Sequence, residues 1–502
     1  AVGFLLLTSG HLPFKVALSL VFMAMSFMCS VLVLAFSTIC IPSDAAGSSG
    51  SMVRREAREA RVGKSRLQET IGRLLQGEAA QRVFQVEANV RSTYEALPKN
   101  AVGRIPPAEF FPAIVRNYFA KEHGWLITGL EPPSIKPLRT EVHEALAFQE
   151  HAPDVVQALK ELRESDKGLS LSDVVGTIVA LEKLILDETI PVLKGAYMLN
   201  NFDMANTLDE ADVSLVLHSY LLLFRHGSPH NFSDVEGHQK MVARAKEAED
   251  WPSQANFTKD TITESNRKGP FSFEVVSDIV RDLGRKYGRW QNSECDEMKA
   301  TLMKLGTNGS GSVLLQDFHS EPSHASFTFT ESADYLQKTG SLEEIDGEQR
   351  VTIVNYLLGP SNCIAKSDYY SVCCLSECEV LMNELEERVQ EPTSLPAMLL
   401  ELVSELPSST EIAPRKLPVD VSLDLEASAD QLGGSVPLHS AAFKRWMHKA
   451  YPNECPLPTA ADSAAEESEA AAAREWLEPP KQECTRIPQW HPDAQHEAQI
   501  NV

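Results

Sequence analysis

The sequence predicts a mainly α-helical protein in two parts, an N-terminal membrane helix and, behind it, an α-helical domain built partly from helix–loop–helix units. Three features carry this reading: an uncharged apolar run near the start, apolar residues recurring at helical spacing from Val142 onward, and short glycine-bearing loops set between helices. A hydrophobic content of 43% with 23% charged residues is globular and excludes a wholly disordered chain. The 46 Lys and Arg face 70 Asp and Glu, and the resulting charge of -24 repels phosphate backbones, so nucleic acid is not an expected partner.

Between Lys15 and Asp44 no side chain is acidic or basic. As a helix, residues 16–36 rise ~31 Å, enough for a hydrocarbon core of ~30 Å. A secretory signal peptide, which residues 45–47 (Ala-Ala-Gly) could terminate, has an apolar region of only ~7–15 residues. The run therefore reads as a retained transmembrane signal-anchor over residues 16–41, after a short segment 1–15, with membrane lipid as a partner. Arg54, Arg55, Arg58, Arg61, Lys64 and Arg66 follow it, which alone would keep the rest of the chain in the cytosol. Against that stand glycosylation acceptors at Asn231, Asn256 and Asn308 and the cysteine usage. The expected localisation is a single-pass membrane glycoprotein with a lumenal or extracellular C-terminal domain, an organellar lumen being one such compartment.

Of nine cysteines, Cys29 and Cys40 belong to the apolar segment and seven lie beyond it. Cys363, Cys373, Cys374 and Cys378 form the densest group, but four-thiolate metal sites use two short pairs separated by a longer gap. Disulfides joining this segment to neighbours such as Cys363, Cys295 or Cys455 are expected instead, with Cys484 left in the tail; the connectivity is open.

The remaining elements follow in order. Residues 48–97 read as a juxtamembrane helix with Leu67, Ile71 and Leu74 on one stripe. A helical domain occupies 98–226, with helices over 142–149, 153–164, 171–187, 190–199 and 210–224. Residues 227–269, rich in Ser, His, Asn and Lys, read as a surface excursion. A cysteine-containing helical domain spans 270–458, with helices over 273–287, 293–305, 330–339, 353–358, 370–389, 396–406 and 440–450, and an acidic tail fills 459–502.

The sharpest local pattern lies between Gly306 and Asp317, where Gly311 stands sixth, Val313 eighth and Asp317 twelfth, the layout of an EF-hand. Asn308 and Ser310 occupy the third and fifth positions, and Gly306 brings no side-chain ligand to the first. A second loop places Asn201 first, Asp203 third and Asp212 twelfth around Leu208 in the eighth position. A third has Gly434 sixth, Val436 eighth and Ser440 twelfth. Too few carboxylates remain for tight calcium binding, so these are expected to be degenerate EF-hand-like units kept for packing through short two-stranded contacts. No cofactor is expected beyond calcium at low affinity on Asn201, Asp203, Asp212, Asn308, Ser310 and Asp317.

With these residues in view, the chain resembles an uncharacterised family of single-span dinoflagellate and algal proteins with degenerate EF-hand-like helical regions. The resemblance lies in YEALPKN with HGWLITGLEP (94–132), FSFEVVSDIVRDLGRKYGRWQNSEC (271–295), GSGSVLLQDF, FTESADYLQKTGSLEE, GPSNCIAKSDYYSVCCLSECE and GGSVPLHSAAFKRWMHKAYPNECPLP (433–458). It implies the architecture above and a non-cytosolic domain. Members carry a more acidic loop where this chain has GTNGSGS, which implies that this one is further removed from calcium.

No phosphate-binding glycine loop, GxSxG or HExxH occurs in a suitable context. His448 and Cys455, seven residues apart, make a poor nucleophile pair because nothing orients them, and His439 reads as a helix-start residue bonded to local backbone. The expected function is a membrane-anchored structural or protein-interaction component without catalytic activity, working with a protein partner or a larger membrane complex. The alternatives are a low-affinity calcium sensor or buffer, and an unrecognised membrane-tethered enzyme.

Overall fold

The computed structural model describes residues 67–76, 80–107, 110–132, 145–163, 168–227, 231–306, 309–320, 327–363 and 365–477. Its organising feature is a set of four antiparallel bridges, each joining two loops that lead directly into helices. In the first, Ile105 lies between α1 (Ala80–Glu95) and α2 (Phe111–Glu122), and pairs with Leu169. Leu169 in turn lies between α4 (Pro153–Arg163, preceded by α3, Leu146–His151) and α5 (Leu171–Asp187). The second bridge pairs Leu208, between α6 (Ile190–Leu199) and α7 (Glu210–His226), with Phe271. Phe271 follows α8 (Val235–Glu247) and α9 (Trp251–Glu264) and precedes α10 (Phe273–Leu305).

The long α10 also enters the third pair. There β1 (Trp125–Ile127) takes no part; the loop strand β2 (Ser312–Leu314) leads into α11 (Leu315–Phe318), and β4 (Glu348–Thr352) leads into α13 (Ile353–Leu357) after α12 (Ala333–Lys338) and β3 (Leu342–Ile345). Val313 is opposite Val351. In the fourth pair, α14 (Glu377–Val389), β7 (Thr393–Ser394) and α15 (Pro396–Glu405) face α16 (Val419–Gln431), β8 (Val436–Pro437) and α17 (Ala441–Ala450), with Ser394 opposite Val436.

The local reason is the same at three of the loops. Leu169, Leu208 and Phe271 are buried, and the residue after each, Ser170, Asp209 or Ser272, caps the next helix by accepting a bond from the backbone N–H three residues on. An apolar residue followed by a cap thus fixes both the bridge and the helix start. All three loop positions expected to pair, Leu208, Val313 and Val436, do so.

Two expected helices merge. α10 runs unbroken for 33 residues because no proline interrupts it and Gln291 is buried where a break was expected. Gly288 lets it cross the end of α2, since a Cβ there would lie 1.8 Å from the His123 carbonyl oxygen. Conversely, the helix expected over 370–389 is only α14. Its first part is β6 (Tyr370–Val372), which pairs with β1 (Trp125–Ile127) and β5 (Ala365–Lys366), and a non-helical stretch carrying Cys373 and Cys374. Tyr370 is buried with its ring 4.7 Å from that of Trp125, and cross-strand contacts of this kind override a helical apolar pattern. The excursion expected over 227–269 contains the ordered helices α8 and α9, and within 459–502 lies α18 (Ala460–Leu477).

The expectation of an N-terminal membrane helix is corrected. Among the described residues no helix is long and apolar enough to cross a membrane. α10 has the length but carries charged side chains throughout, and α5, the more apolar, has 17 residues with Asp173, Glu182, Lys183 and Asp187 among them. Residues 16–41, where the span was placed, lie outside the described residues. The fold class supported is a mainly α domain with three small sheets. The same finding corrects the expected signal-anchor, the lipid contact through residues 16–41 and the single-pass topology with a lumenal or extracellular domain. Within 48–97, α1 packs on α5 with Val86, Val90 and Tyr94 buried in the main core.

The expected disulfides are present: Cys295–Cys374, Cys363–Cys373 and Cys378–Cys455. Adjacent Cys373 and Cys374 tie one chain segment to two different elements. Cys484 lies outside the described residues.

Candidate functional site

The loop positions expected to meet calcium lie in two separate loops, one after α6 and one before α11. Asn201 and Asp203 are exposed in the turn after α6, and Asp203 Oδ1 already accepts the Ala205 N–H at 2.9 Å. Asp212 lies half-buried in the first turn of α7, its N–H held by Asp209. Ser310 Oγ lies 3.3 Å from Ser312 Oγ, Asp317 stands half-buried on the short α11, and Asn308 lies outside the described residues. Among the described residues no group of three or more His, Cys, Asp or Glu could hold a metal ion. Together with the absence of a crossing helix among those residues, this overturns the membrane-anchored component and the calcium-sensor alternative as readings of function.

Potential nucleophiles are likewise engaged. Cys455 is bonded to Cys378, and His448 Nδ1 lies 2.7 Å from the Cys455 carbonyl oxygen, so this pair is structural. His439 is not bonded to local backbone as expected; its Nε2 lies 3.1 Å from Glu386 Oε1 on α14. Ser219 Oγ is 2.9 Å from His238 Nε2, a nucleophile-and-base distance, but Ser219 is fully buried and also receives a bond from Asn200.

What the tertiary structure does assemble is a cleft of about 300 Å³. One wall comes from α2 and β1, with Arg116, Trp125 and Leu126. The facing wall comes from α14 and α17, with Glu379, Met382 and Lys444, and the segment 456–459 and the start of α18 close one side. Cys373, Cys374 and Cys378 form part of the lining, so each of the three cystines holds a piece of it. Gly124 permits the tight join beneath: its φ is +66°, and a Cβ would lie 2.4 Å from the Cys373 carbonyl oxygen.

The cleft mixes apolar surface with a few charges. Burial pushes the Glu379 carboxyl up, Lys444 pulls it down, Glu386 adds to the rise, and His439 and Arg116 oppose it; burial prevails. Arg116 has no carboxylate within ion-pair distance among the described residues. Trp125 is 1% exposed, and its indole Nε1–H has no hydrogen-bond partner there.

Trp125 is fixed from behind by a buried charge network. Its ring centroid is 4.6 Å from that of His123, whose Nε2 lies 3.1 Å from Glu182 Oε1. Arg82 grips the same carboxylate with Nε donating at 2.7 Å and Nη2 at 2.6 Å, and donates to Tyr118 Oη at 2.8 Å. Burial works against the ionised form of Glu182, but the hydrogen bond and field of His123, then those of Arg82, outweigh it and hold the carboxyl down at about 2.

Arg116, Glu379 and Lys444 carry no joint signal in the sequence because they lie on three separate helices, α2, α14 and α17, and each is unremarkable in its own. The orphan indole of Trp125 has no sequence signal at all. Compared with protein-family profiles, with curated proteins and with solved structures, the chain matches none.

Proposed function

We propose that this chain is a binding protein whose cleft takes a small amphipathic carboxylate. The single observation that carries this is the cleft itself, whose lining combines Leu126, Met382 and Met447 with Arg116, Lys444 and the carboxylates Glu131, Glu379 and Asp462. Its volume falls at the lower edge of small-molecule sites, ~300–1,000 Å³, and such sites pair apolar walls with a few placed polar groups. In this reading Arg116 meets the ligand oxygens, while Leu126, Met382 and Met447 cover its hydrocarbon.

Isothermal titration of the full chain with decanoate, and with decyltrimethylammonium as the opposite charge, tests this. Saturable binding of decanoate is expected, weakened roughly tenfold by Arg116→Glu and lost in Leu457→Trp, which fills the cleft from a half-buried position. Binding indifferent to both substitutions, a preference for the cationic amphiphile, or no binding of decanoate would overturn the assignment.

A further inference from the structure

We propose that His238 is an acid-released latch that holds α8 against α7. Among the thirteen residues of α8, His238 is the buried one; Val235 and Met241 are only partly covered. The rest of the helix stands off α7 across an open space of about 560 Å³ lined by Leu222, His226, Lys240, Met241, Arg244 and Ala245. The imidazole is thus the fully buried contact of this helix, beside Val235 and Met241, which are partly buried and pack against the main core.

Its surroundings suit only the neutral ring. His238 Nε2 lies 2.9 Å from Ser219 Oγ on α7, and the same hydroxyl receives Asn200 Nδ2 at 2.8 Å from the end of α6. His238 Nδ1 is buried without a partner. A protonated ring would present two N–H donors and a full charge to a single hydroxyl oxygen, which leaves one charged donor unsatisfied in an apolar setting.

The charged neighbours do not compensate. On α7, Arg225 is paired with Asp250 at the start of α9, and His226 lines the open space. On α6, Lys194 is exposed. On the α8 segment itself, the Asp234 carboxylate caps Gly237, and Lys240 is paired with Glu236. Burial alone lowers the affinity of His238 for a proton, with no charged group contributing to the shift. The sign follows: the undocked ring binds a proton more readily than the docked one, so docking is complete above ~pH 6.5 and weakens as pH falls below it.

α9 stays in place under the same conditions. His218 Nε2 is 2.9 Å from Thr258 Oγ1 on that helix, yet α9 is also anchored by buried Phe257 and Ile262, with Phe257 stacked 4.8 Å from Trp290. Acid therefore frees α8 first and opens the α7 face beneath it.

Amide hydrogen exchange of the full chain at about pH 7.5 and about pH 5.5, corrected for intrinsic rates, tests the latch. Protection across α8 should fall about tenfold at the lower pH, with α5 and α9 unchanged. His238→Gln, which keeps a polar side chain without titrating, should leave α8 equally protected at both values. The His238 ring should titrate below ~6.5 by NMR in the unmodified chain, a reading that does not depend on any variant folding. Equal protection at both pH values, a pH response that survives His238→Gln, or a His238 midpoint at or above ~6.5 would each overturn the proposal.

Discussion

Val313 stands directly opposite Val351 in an antiparallel ladder, and neither side chain is exposed to solvent. The pair joins two loops that each open a helix, and it sits in a small core with Leu302, Phe318 and Tyr356. Packing of apolar side chains joins the two loops.

Val313→Asp should therefore unfold or severely destabilise this region, by more than about 4 kcal/mol, because it puts an unpaired charge into that core. Asp317→Asn, half-buried on α11, should change stability by less than about 0.5 kcal/mol with or without millimolar calcium. Denaturant titration of both variants checks this, and a calcium-dependent stability lost in Asp317→Asn would show that the loop does bind the ion.

The buried Glu182 network gives an acid dependence of known sign. Its carboxyl is held at about 2 in the folded chain against an ordinary 4.5, so its contribution is present above ~pH 4.5 and is lost as pH falls toward 2. The amount is on the order of 3 kcal/mol. Glu182→Gln should flatten the acid limb of the stability curve between those values and, by leaving Arg82 unpaired in a buried site, should cost ~3–5 kcal/mol at neutral pH. An acid limb unchanged in the variant would place the dependence elsewhere.

Reduction should separate the three cystines by loop length. Cys295–Cys374 and Cys378–Cys455 close 79 and 77 residues, whereas Cys363–Cys373 closes 10. In the chain-entropy account the long loops are worth roughly 4–5 kcal/mol each and the short one roughly 3. Replacing each pair by serine and measuring the midpoint of unfolding should reproduce that order, and non-reducing peptide mapping should recover these three pairs.

Gly288→Ala and Gly72→Ala should have opposite effects. The first puts a methyl group 1.8 Å from the His123 carbonyl oxygen and must push α10 from α2, at a cost of at least ~3 kcal/mol. The second meets nothing within 4 Å on an exposed helical position and should stabilise by ~0.5–1 kcal/mol. Thermal unfolding of the two variants decides it.

The sequence by itself determined the elements whose cause is local. The apolar residue and cap at Leu169–Ser170, Leu208–Asp209 and Phe271–Ser272 set the helix starts, the 3.6-residue stripes set helices such as α5 and α7, and the crowding of cysteines after Cys363 pointed to disulfides. Residues 16–41, where the membrane span was expected, lie outside the described residues, and among the described residues no helix is long and apolar enough to cross a membrane. Which loop bridges which was decided only by the tertiary structure, as were the cystine connectivity and the conversion of residues 370–372 from an expected helix into β6. So too were the meeting of Arg116, Trp125, Glu379 and Lys444 around one cleft and the seating of His238 on Ser219. Helix caps and stripes act over a few residues and are written in the local pattern. A cleft or a latch depends on contacts between distant segments, whose energies appear only once the whole core has closed.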